Sequence, residues 1–403
     1  MRVELDEATR RRVEGIRMLG RAQVRPLGLE ADRLGRPIPP DHEFFELLLK
    51  IGQGRTRWSG EQDPAAEPAA RDESDRPELK ATIGTSRALL AVAEELSYWD
   101  RGVAVSLPGP GLGEPPIIGM GTPDQKERFL RPFIDPGKPR WGSFAMTEPG
   151  AGSDVAAIRT VCRKDGDHWV LNGAKSFAAN ASRADWILVW ATIDRNLGRE
   201  GHRAFVIEQG TPGLGDFHVE KKMGLKAYES TSFTMRDCRV PADSLLGSDE
   251  HYARKAGFKG AMKSFNSTRP LVAAMAVGMG RAAFDEALAF AKEQDLLGDV
   301  RVRDRLERIR RRLRVARLLC WRAAWLADHS RPNIVEASMS KAVAPAVALE
   351  AASLGMELLG EVGARGEHLI EKLFRDVKAM DIVEGTGQIQ RIVMARQLVQ
   401  LPR

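Results

Sequence analysis

Hydrophobic and polar positions follow a helical rhythm in the first third of the chain. Residues 8–24 (ATRRRVEGIRMLGRAQV) and 84–99 (GTSRALLAVAEELSYW) carry apolar residues at helical spacing, which predicts two helices. Between them, residues 55–78 are polar and rich in proline, aspartate and glutamate, and we interpret this segment as a surface excursion. We therefore predict an N-terminal α-helical domain over residues 1–140.

From about residue 141 the pattern changes to short runs of β-branched and aromatic residues bounded by glycine, aspartate and asparagine. Several short strands separated by turn residues indicate a small β-sheet or barrel domain, which we place at residues 141–255. The four predicted strand-bearing runs are residues 157–178, 185–194, 202–210 and 230–240.

The rest of the chain returns to helical periodicity. Four long periodic segments, with lengths that suit an antiparallel four-helix bundle, occupy residues 264–294, 302–328, 335–360 and 386–399. We assign them to a C-terminal helical domain over residues 256–403. The predicted fold class is therefore mainly α with a central β-domain.

Composition adds limits to this picture. Hydrophobic residues make up 43% and charged residues 29% of the 403 residues, as in soluble globular proteins. No apolar run approaches the roughly 20 residues of a membrane-spanning helix, so no span is expected. The first residues mix acids with arginines, which argues against a signal peptide. Cys162, Cys238 and Cys320 lie far apart, so we expect no disulfide framework and a reducing, cytoplasmic location.

The net charge of +6 favours anionic partners. The densest basic run, residues 301–319, carries Leu306, Ile309, Leu313 and Ala316 at helical spacing, so its arginines form the solvated face of one amphipathic helix. Nucleic-acid binding is therefore not expected, and a small ligand that bears phosphate explains the charge better.

Several familiar catalytic signatures are missing or lie in the wrong context. The glycine patterns at 109–113 and 276–284 lack the strand–turn–helix context of a dinucleotide-binding fingerprint. The seven histidines show no metal-binding spacing, so no metal site is expected. No G-x-S-x-G sequence is present, and a hydrolase triad is not supported.

Two short segments remain as candidates for chemistry. Residues 145–160 (AMTEPGAGSDVAAIRT) form a polar, glycine-rich turn before a strand, either a structural turn or a place where backbone N–H groups approach a ligand. Residues 381–391 (DIVEGTGQIQR) set Glu384 against a glycine just before a helix. Taken alone, Glu384 is either an ordinary acid at a helix boundary or a positioned base.

These two segments belong to a longer series that resembles the acyl-CoA dehydrogenase family. The resemblance is strong over residues 120–399 and covers residues 1–120 only in outline. It implies an N-terminal helical domain, a small β-barrel or sheet domain and a C-terminal four-helix bundle, with motifs closest to the medium-chain members. The motifs that carry it, in order, are residues 145–160, 171–191, 222–247, 265–293 and 357–399.

The resemblance implies a chemistry for Glu384. Family members use FAD to oxidise an acyl-CoA thioester to the trans-2-enoyl-CoA: a carboxylate removes the α-proton while the β-hydrogen leaves as hydride to flavin N5. In the family the glutamate of the E-G-T motif is that base, and here it corresponds to Glu384. A second subgroup carries its base immediately before an arginine of the first bundle helix. That place holds Thr268, before Arg269, so no competing carboxylate exists there.

The resemblance also implies the ligand contacts. Phe177 stands where tryptophan usually covers the flavin, and Ala179 where a hydroxyl residue often bonds near flavin N5. The residues expected to contact FAD are Met146, Thr147, Gly152, Ser153, Phe177, Ala179, Thr386 and Gln388. Those expected to contact the acyl-CoA are Ser153, Asn266, Thr268, Arg269 and Gly385.

One part of the family pattern is altered. The family completes each FAD site with an arginine motif and a glycine-rich turn from a neighbouring subunit; here those positions hold Gln294 and Leu297, then Glu357 and Gly360. The arginine is lost and acids enter, which a phosphate disfavours. Either a homo-oligomer, a dimer or tetramer, binds FAD differently there, or the chain is one subunit of a heteromer.

The family resemblance leaves the redox partner open. An electron-transfer flavoprotein is the acceptor that the resemblance implies. An acyl-CoA oxidase, or a flavin monooxygenase, on the same fold is the alternative. Glu384 favours proton abstraction over monooxygenation.

Overall fold

The computed structural model describes residues 3–52, 55, 56, 58, 60, 83–253 and 257–400, and within these it gives the backbone alone for 250, 253 and 257–267. The predicted surface excursion at 55–78 lies largely outside the described residues, and so does the side chain of Asn266.

Helices form the N-terminal part, as the sequence predicts. The first begins at Asp6, whose carboxylate accepts a hydrogen bond from the N–H of Thr9 at 2.8 Å. The second predicted helix is longer than expected and is interrupted at Asp100, where φ is −164°. The helices are α1 (Glu7–Leu19), α2 (Arg25–Leu34), α3 (Glu43–Lys50), α4 (Thr85–Ser106), α5 (Glu114–Met120) and α6 (Pro123–Leu130), with a π-helical turn at Gly20–Val24.

A mixed, curved sheet follows. Its strands run in the order β1-β4-β2-β3-β7-β6, and β5 pairs antiparallel with β4 outside this path. β1 and β4 are parallel, whereas β3 pairs antiparallel with β2 and β7. The strands are β1 (Gly142–Ala145), β2 (Val161–Asp165), β3 (His168–Ala179), β4 (Trp186–Thr192), β5 (His202–Glu208), β6 (Leu214–Val219) and β7 (Ser230–Pro241).

The sheet contains two strands that the sequence pattern did not reveal. β1 has only four residues, too few to show a period, and β6 is mostly exposed, so neither carries a clear apolar run. β4 is buried along its whole length, which explains why its sequence, WILVWAT, is continuously apolar rather than alternating.

Long helices form the C-terminal part. They are preceded by the short helix α7 (Ser248–Ala253) and comprise α8 (Gly257–Glu293), α9 (Val300–Asp328), α10 (Ile334–Ala364), α11 (Leu369–Ile382) and α12 (Gly387–Leu398). α10 packs against α8, α9, α11 and α12. The predicted apolar stripe of α9 is confirmed, because Leu306, Ile309, Leu313 and Ala316 are all buried.

The fourth helix of the bundle lies earlier than predicted. The periodic pattern predicts it at 386–399, but α11 is the helix that packs on both α8 and α10. α11 buries Ile370, Leu373 and Val377 at helical spacing. α12 instead leaves Ile392 and Leu398 exposed, so it lies at the edge of the bundle.

The expectation that no segment has the length and apolarity of a membrane span is wrong for α10. Among the residues described, α10 is the one helix long and apolar enough to cross a membrane, with a mean hydropathy of 1.5 in its most apolar window of 18 residues. More than half of that window is buried between the other helices of the bundle. Core helices of this kind meet the same length and composition criteria, so the test alone is weak evidence for a span.

Candidate active site

The turn between α11 and α12 presents an acid from a backbone conformation that acids rarely adopt. Glu384 and Gly385 have left-handed φ angles of 56° and 91°. A left-handed residue other than glycine costs on the order of 1–3 kcal/mol, and such residues cluster at functional sites. The φ of 91° favours glycine at 385, and a Cβ there would lie 2.6 Å from Nε2 of Gln390, so the Gln390 side chain would have to shift. Thr386 then caps α12 by accepting a hydrogen bond from the N–H of Ile389 at 3.3 Å.

Two buried side chains hold this turn in place. Lys341, on α10, has no exposed surface, and its Nζ donates to the carbonyl oxygen of Gly385 at 3.2 Å. Gln390, on α12, is also fully buried. Its Nε2 lies 3.2 Å from the same oxygen and 3.4 Å from the carbonyl oxygen of Glu384. Because the turn is strained, these donors from two helices stabilise the conformation that orients Glu384.

One oxygen of the Glu384 carboxylate accepts a hydrogen bond, and the other accepts none within the described residues. Its Oε2 accepts a hydrogen bond from Oγ1 of Thr268, on α8, at 2.7 Å. No residue in the described part of the chain donates a hydrogen bond to Oε1. Burial raises the pKa of Glu384 above its ordinary value, and the hydrogen bond from Thr268 partly opposes this effect. A carboxylate in this state is suited to accept a proton from carbon.

Three cationic side chains surround Glu384, each from a different helix. Arg101 lies on α4, Arg269 on α8 and Lys341 on α10, and all three act to lower the pKa of Glu384. Burial lowers the pKa of each cation in turn, to about 8 for Lys341. The surroundings of Glu384 are therefore rich in positive charge, fully buried at Lys341 and half-buried at Arg101 and Arg269.

The glycine-rich turn identified in the sequence directly follows β1. Met146 is buried and Thr147 half-buried, whereas Gly152 and Ser153 are exposed. The N–H of Ser176, on β3, donates to the carbonyl oxygen of Thr147 at 2.9 Å. The turn is thus attached to the sheet at its start and open to solvent at its glycines.

A buried ion pair supports this turn from the sheet side. Nζ of Lys175, on β3, lies 2.7 Å from a carboxylate oxygen of Glu148 and 3.1 Å from the carbonyl oxygen of Met146. Glu148 also accepts hydrogen bonds from the backbone N–H groups of Arg159 and Thr160. One glutamate therefore ties the turn to the strand behind it and to the segment that follows.

β3 carries an exposed aromatic residue near this turn. Phe177 is 66% exposed and has a φ of 60°, and the pairing of β3 with β7 shifts register between Lys175 and Ala178. A bulge re-aims the side chain at the point where it occurs. An aromatic ring held in solvent by a costly backbone conformation indicates a contact surface for a ligand.

The end of β3 is attached to the helix that carries Arg101. Nδ2 of Asn180 donates to the carbonyl oxygen of Val105, on α4, at 2.8 Å. Ala179, half-buried, accepts a hydrogen bond at its carbonyl oxygen from Oγ of Ser143 at 2.8 Å. Val105 is four residues from Arg101, about one helical turn. The strand end beside Phe177 and the charged surroundings of Glu384 therefore meet on one helix.

The turn and the bulge have features that suit FAD. A Cβ on Gly152 would meet no atom within 4 Å, and its φ is not left-handed, so neither packing nor conformation accounts for glycine there. Open backbone at Gly152 and Ser153 suits a phosphate-bearing chain, and the exposed ring of Phe177 suits a flat ring system. Gln388, on α12, is also exposed. These residues fit the cofactor that the sequence resemblance implies.

The remaining predicted cofactor residues lie at the opposite end of the bundle. Thr268 and Glu293 mark the two ends of the described side chains of α8, about 37 Å apart at 1.5 Å per residue. At the far end, Gln294 is exposed, Leu297 is half-buried, and Gly360 interrupts α10 with a φ of 50°. Leu297 packs against the hydrophobic cluster that includes Leu359, so the two segments lie at the same end of the bundle, away from Glu384.

The acid at this far end is already neutralised by an arginine. The two carboxylate oxygens of Glu357 lie 2.6 and 2.5 Å from the guanidinium of Arg305, on α9. This ion pair lowers the pKa of Glu357. A second acid at this end, Glu361, pairs with Arg365 at 3.0 Å. From the sequence alone, these acids are expected to repel a phosphate. In the structure, an arginine balances the negative charge of each.

Sequence reasoning missed four residues that shape the two regions: Lys341, Gln390, Arg101 and Glu148. A signal existed for Lys341, because it is the one charge in the apolar run 337–347. No comparable signal existed for Arg101, because its position depends on the interruption of α4.

Comparison with known proteins gives consistent matches. The family model for the acyl-CoA dehydrogenase middle domain matches residues 143–238, and that for the acyl-CoA dehydrogenase C-terminal domain matches residues 255–399. The chain is 37% identical over 290 residues to the mitochondrial short-chain specific acyl-CoA dehydrogenase of Bos taurus, across 71% of this chain and 69% of that one.

Two solved structures are similar over almost the whole chain. Butyryl-CoA dehydrogenase from Megasphaera elsdenii has a TM-score of 0.84 and 28% sequence identity, covering 99% of this chain and 100% of that one. Glutaryl-coenzyme A dehydrogenase in complex with glutaryl-CoA has a TM-score of 0.84 and 26% identity, covering 100% of this chain and 98% of that one. The mainly α fold with a central β-domain is therefore confirmed.

Proposed function

The chain belongs to the acyl-CoA dehydrogenase family of oxidoreductases, and on that premise we propose that it converts an acyl-CoA thioester to the trans-2-enoyl-CoA with Glu384 as the base. The observation that carries the proposal is the strained Glu384–Gly385 turn, clamped by Lys341 and Gln390. A strained turn held by two buried donors is the expected form of a positioned catalytic group.

Proton abstraction follows from the carboxylate geometry. The thioester α-proton would transfer to Oε1 of Glu384, while Thr268 continues to donate to Oε2. The raised pKa of Glu384 brings the base closer in strength to the activated C–H group. The nearby cations Arg101, Arg269 and Lys341 keep enough of the carboxylate ionised to act.

Bound FAD supplies the acceptor for the β-hydrogen, which leaves with two electrons. The residues proposed to hold it are Met146, Thr147, Gly152, Ser153, Phe177, Ala179, Thr386 and Gln388. The proposed thioester contacts are Ser153, Asn266, Arg269 and the open backbone at Gly385. Polarising the thioester carbonyl by such donors is what acidifies its α-proton.

Two questions have alternative answers: which molecule accepts the electrons, and whether the FAD site is completed by a second copy of this chain or by a different subunit. An electron-transfer flavoprotein is the proposed acceptor, and an oxidase that uses oxygen is the rival. We propose that the protein is a homo-oligomer in which residues 294–298 and 357–360 of a neighbouring chain complete each FAD site. We also propose that it acts in the cytoplasm. The balanced pair Glu357–Arg305 supports this over a heteromer, because the acid no longer opposes a phosphate.

Anaerobic titration of the purified holoenzyme with acyl-CoA esters tests the proposal. We expect bleaching of the flavin absorbance by at least one ester, with little peroxide on admission of air. Rapid stoichiometric peroxide would instead identify an oxidase. Failure of every thioester to bleach the flavin would contradict dehydrogenation, and loss of FAD from the chain purified alone would favour a heteromer.

A further inference from the structure

A break in α4 determines where Arg101 lies. At Asp100 the backbone leaves the helical region, with φ −164° and ψ 119°, and α4 resumes at the next residue. Oδ1 of Asp100 accepts a hydrogen bond from the N–H of Val103 at 2.8 Å, so Asp100 caps the second half of the helix. Arg101 is therefore the first residue of a new helical segment, redirected relative to the helix before it.

A buried charge network holds the break in place. Nζ of Lys372, on α11, bonds Oδ2 of Asp100 at 2.6 Å and also bonds Asp376 one turn further along α11. Asp376 in turn accepts a hydrogen bond from the backbone N–H of Leu225. All three charged side chains are buried. Breaking a buried network of this kind is strongly destabilising, so the direction of Arg101 is fixed by the fold.

The guanidinium of Arg101 has no hydrogen-bonding partner within the described part of the chain. Its Nε is buried and unbonded, and its terminal nitrogens are not among the fully buried atoms. The carboxylate of its neighbour Asp100 is already used by Lys372 and the N–H of Val103. An arginine has five donors and needs partners for them when it leaves bulk water.

The charged groups around Arg101 leave its hydrogen-bond donors unused. Arg101 lies within electrostatic reach of Glu384, Asp100 and the half-buried Tyr228, but none of them accepts a hydrogen bond from it. Arg101, Arg269 and Lys341 face Glu384 from three helices, and the other acid close to Lys341 is Asp381. Both carboxylate oxygens of Asp100 are already bonded, to the N–H of Val103 and to Lys372. An anionic ligand would supply the hydrogen-bond acceptors that these acids do not give to Arg101.

We propose that Arg101 binds a carboxylate on the acyl group, so that the substrate is a CoA monoester of a short dicarboxylic acid. This rests on the proposed dehydrogenation, because the α-carbon must reach Glu384 and the acyl group must then lie beside the base. A guanidinium binds a carboxylate through two parallel hydrogen bonds, which a methyl terminus cannot replace. The open terminal nitrogens of Arg101 are the donors for those bonds.

Matched substrate pairs test the proposal in the holoenzyme. Each pair has the same number of carbons and ends in a methyl or a carboxylate: butyryl- and succinyl-CoA, valeryl- and glutaryl-CoA, hexanoyl- and adipyl-CoA. We expect kcat/KM to favour the carboxylate in at least one pair. Equal or better use of the alkyl ester in every pair overturns the proposal without touching the dehydrogenation. If no ester of either kind reduces the flavin, the proposed function itself fails.

Substitution of Arg101 separates substrate binding from tuning of the base. Arg101→Met should lower kcat/KM for both esters, because Arg101 also helps to keep Glu384 ionised. The loss should be on the order of 100-fold for the carboxylate ester, as for loss of a buried charge partner, and clearly smaller for the alkyl ester, so the ratio of the two losses is the readout. Arg101→Lys keeps the charge but loses the planar guanidinium. Its kcat/KM for the carboxylate ester should lie between those of the wild type and Arg101→Met. An equal loss on both esters means that Arg101 acts only through Glu384, and it contradicts the proposal.

Arg25→Met provides a matched control. Arg25, on α2, is another arginine whose pKa is lowered by burial and which lies near Asp100, but Glu384 is not among the charges that influence it. Its guanidinium donates to the carbonyl oxygen of Tyr98, on α4. This variant should keep the preference between paired esters even if it lowers stability. Should Arg101→Met fail to retain FAD, the wild-type preference still decides the proposal.

Discussion

The two ends of the helical bundle differ in how far their charged groups are buried and how they are paired. At the Glu384 end the charged groups are buried or half-buried, come from different helices and lie around a strained turn. At the far end Glu357 and Arg305 form an exposed ion pair beside Gly360, where α10 is interrupted. Buried charges respond strongly to one another, whereas exposed pairs contribute little. Substitutions should therefore have large effects at the first end and small ones at the second.

The largest effect is expected for Glu384→Gln. The amide keeps the size of the side chain but cannot accept the α-proton, so turnover should fall by about 10²–10⁴-fold, the usual contribution of a general base. Single-turnover flavin reduction measures this loss. FAD content and acyl-CoA binding should remain. Substantial residual activity would show that the base lies elsewhere.

Lys341→Met should have the next largest effect. It removes the donor to the Gly385 carbonyl and one cation beside Glu384, and we expect a loss of roughly 10–100-fold, since small displacements of a reacting group have costs of this size. The wild-type pH profile adds a sharper test. Because burial lowers the pKa of Lys341 to about 8, its ammonium is lost as pH rises through that value, and activity should fall there.

Lys341→Arg is the control for that variant, because it keeps a charge that does not titrate near pH 8. The alkaline decline should disappear from its profile. If both variants retain the decline, another group causes it, and the assigned role of Lys341 is incorrect.

Thr268→Val should have a smaller effect. The hydroxyl of Thr268 lowers the pKa of Glu384, so its removal should raise that pKa further. A carboxylate with a higher pKa is ionised only at higher pH, so the acid limb of the kcat/KM profile should move to higher pH, with a loss of several-fold near neutrality. Thr268→Ser, which retains the hydroxyl, should show the wild-type profile. An unmoved acid limb in the valine variant would contradict the assignment.

The smallest effect is expected at the far end. Glu357→Gln breaks an exposed ion pair with Arg305, which is worth about 0–1 kcal/mol in typical proteins. The melting temperature and the intrinsic rate of flavin reduction should stay close to wild type. A large loss of turnover, with FAD retained, would show that the two ends are coupled and that the comparison between them fails.

The fold could be predicted in its main features because two kinds of hydrophobic pattern are visible in the sequence. Helical spacing marks α4, α8 and α9, and continuous apolar runs mark β4. β1 is too short to show a period. The helix at Leu369–Ile382 lies inside a longer block that resembles the family, so the pattern predicts the helix at 386–399 as the fourth of the bundle, which is wrong.

The candidate site was predictable only where residues are close in sequence or belong to a recognised motif. Glu384, Gly385 and Thr386 form such a motif, and Thr268 was identified by its place before Arg269. The contacts of Lys341 and Arg101 instead join residues more than 40 positions apart. Contacts of this kind depend on how helices cross. A break at a single residue such as Asp100 does not change the spacing of apolar residues, so the sequence pattern does not reveal it.

The position of α10 in the chain has a consequence for biosynthesis. Its apolar sides are covered by α8 and α9, which are synthesised before it, and by α11, which is synthesised after it. Until residues 369–382 leave the ribosome, one side of a helix apolar enough to pass for a membrane span has no cover. Transiently exposed apolar surface promotes aggregation. We expect the nascent chain to depend most on chaperones during this interval, and pauses in translation there to lower its yield.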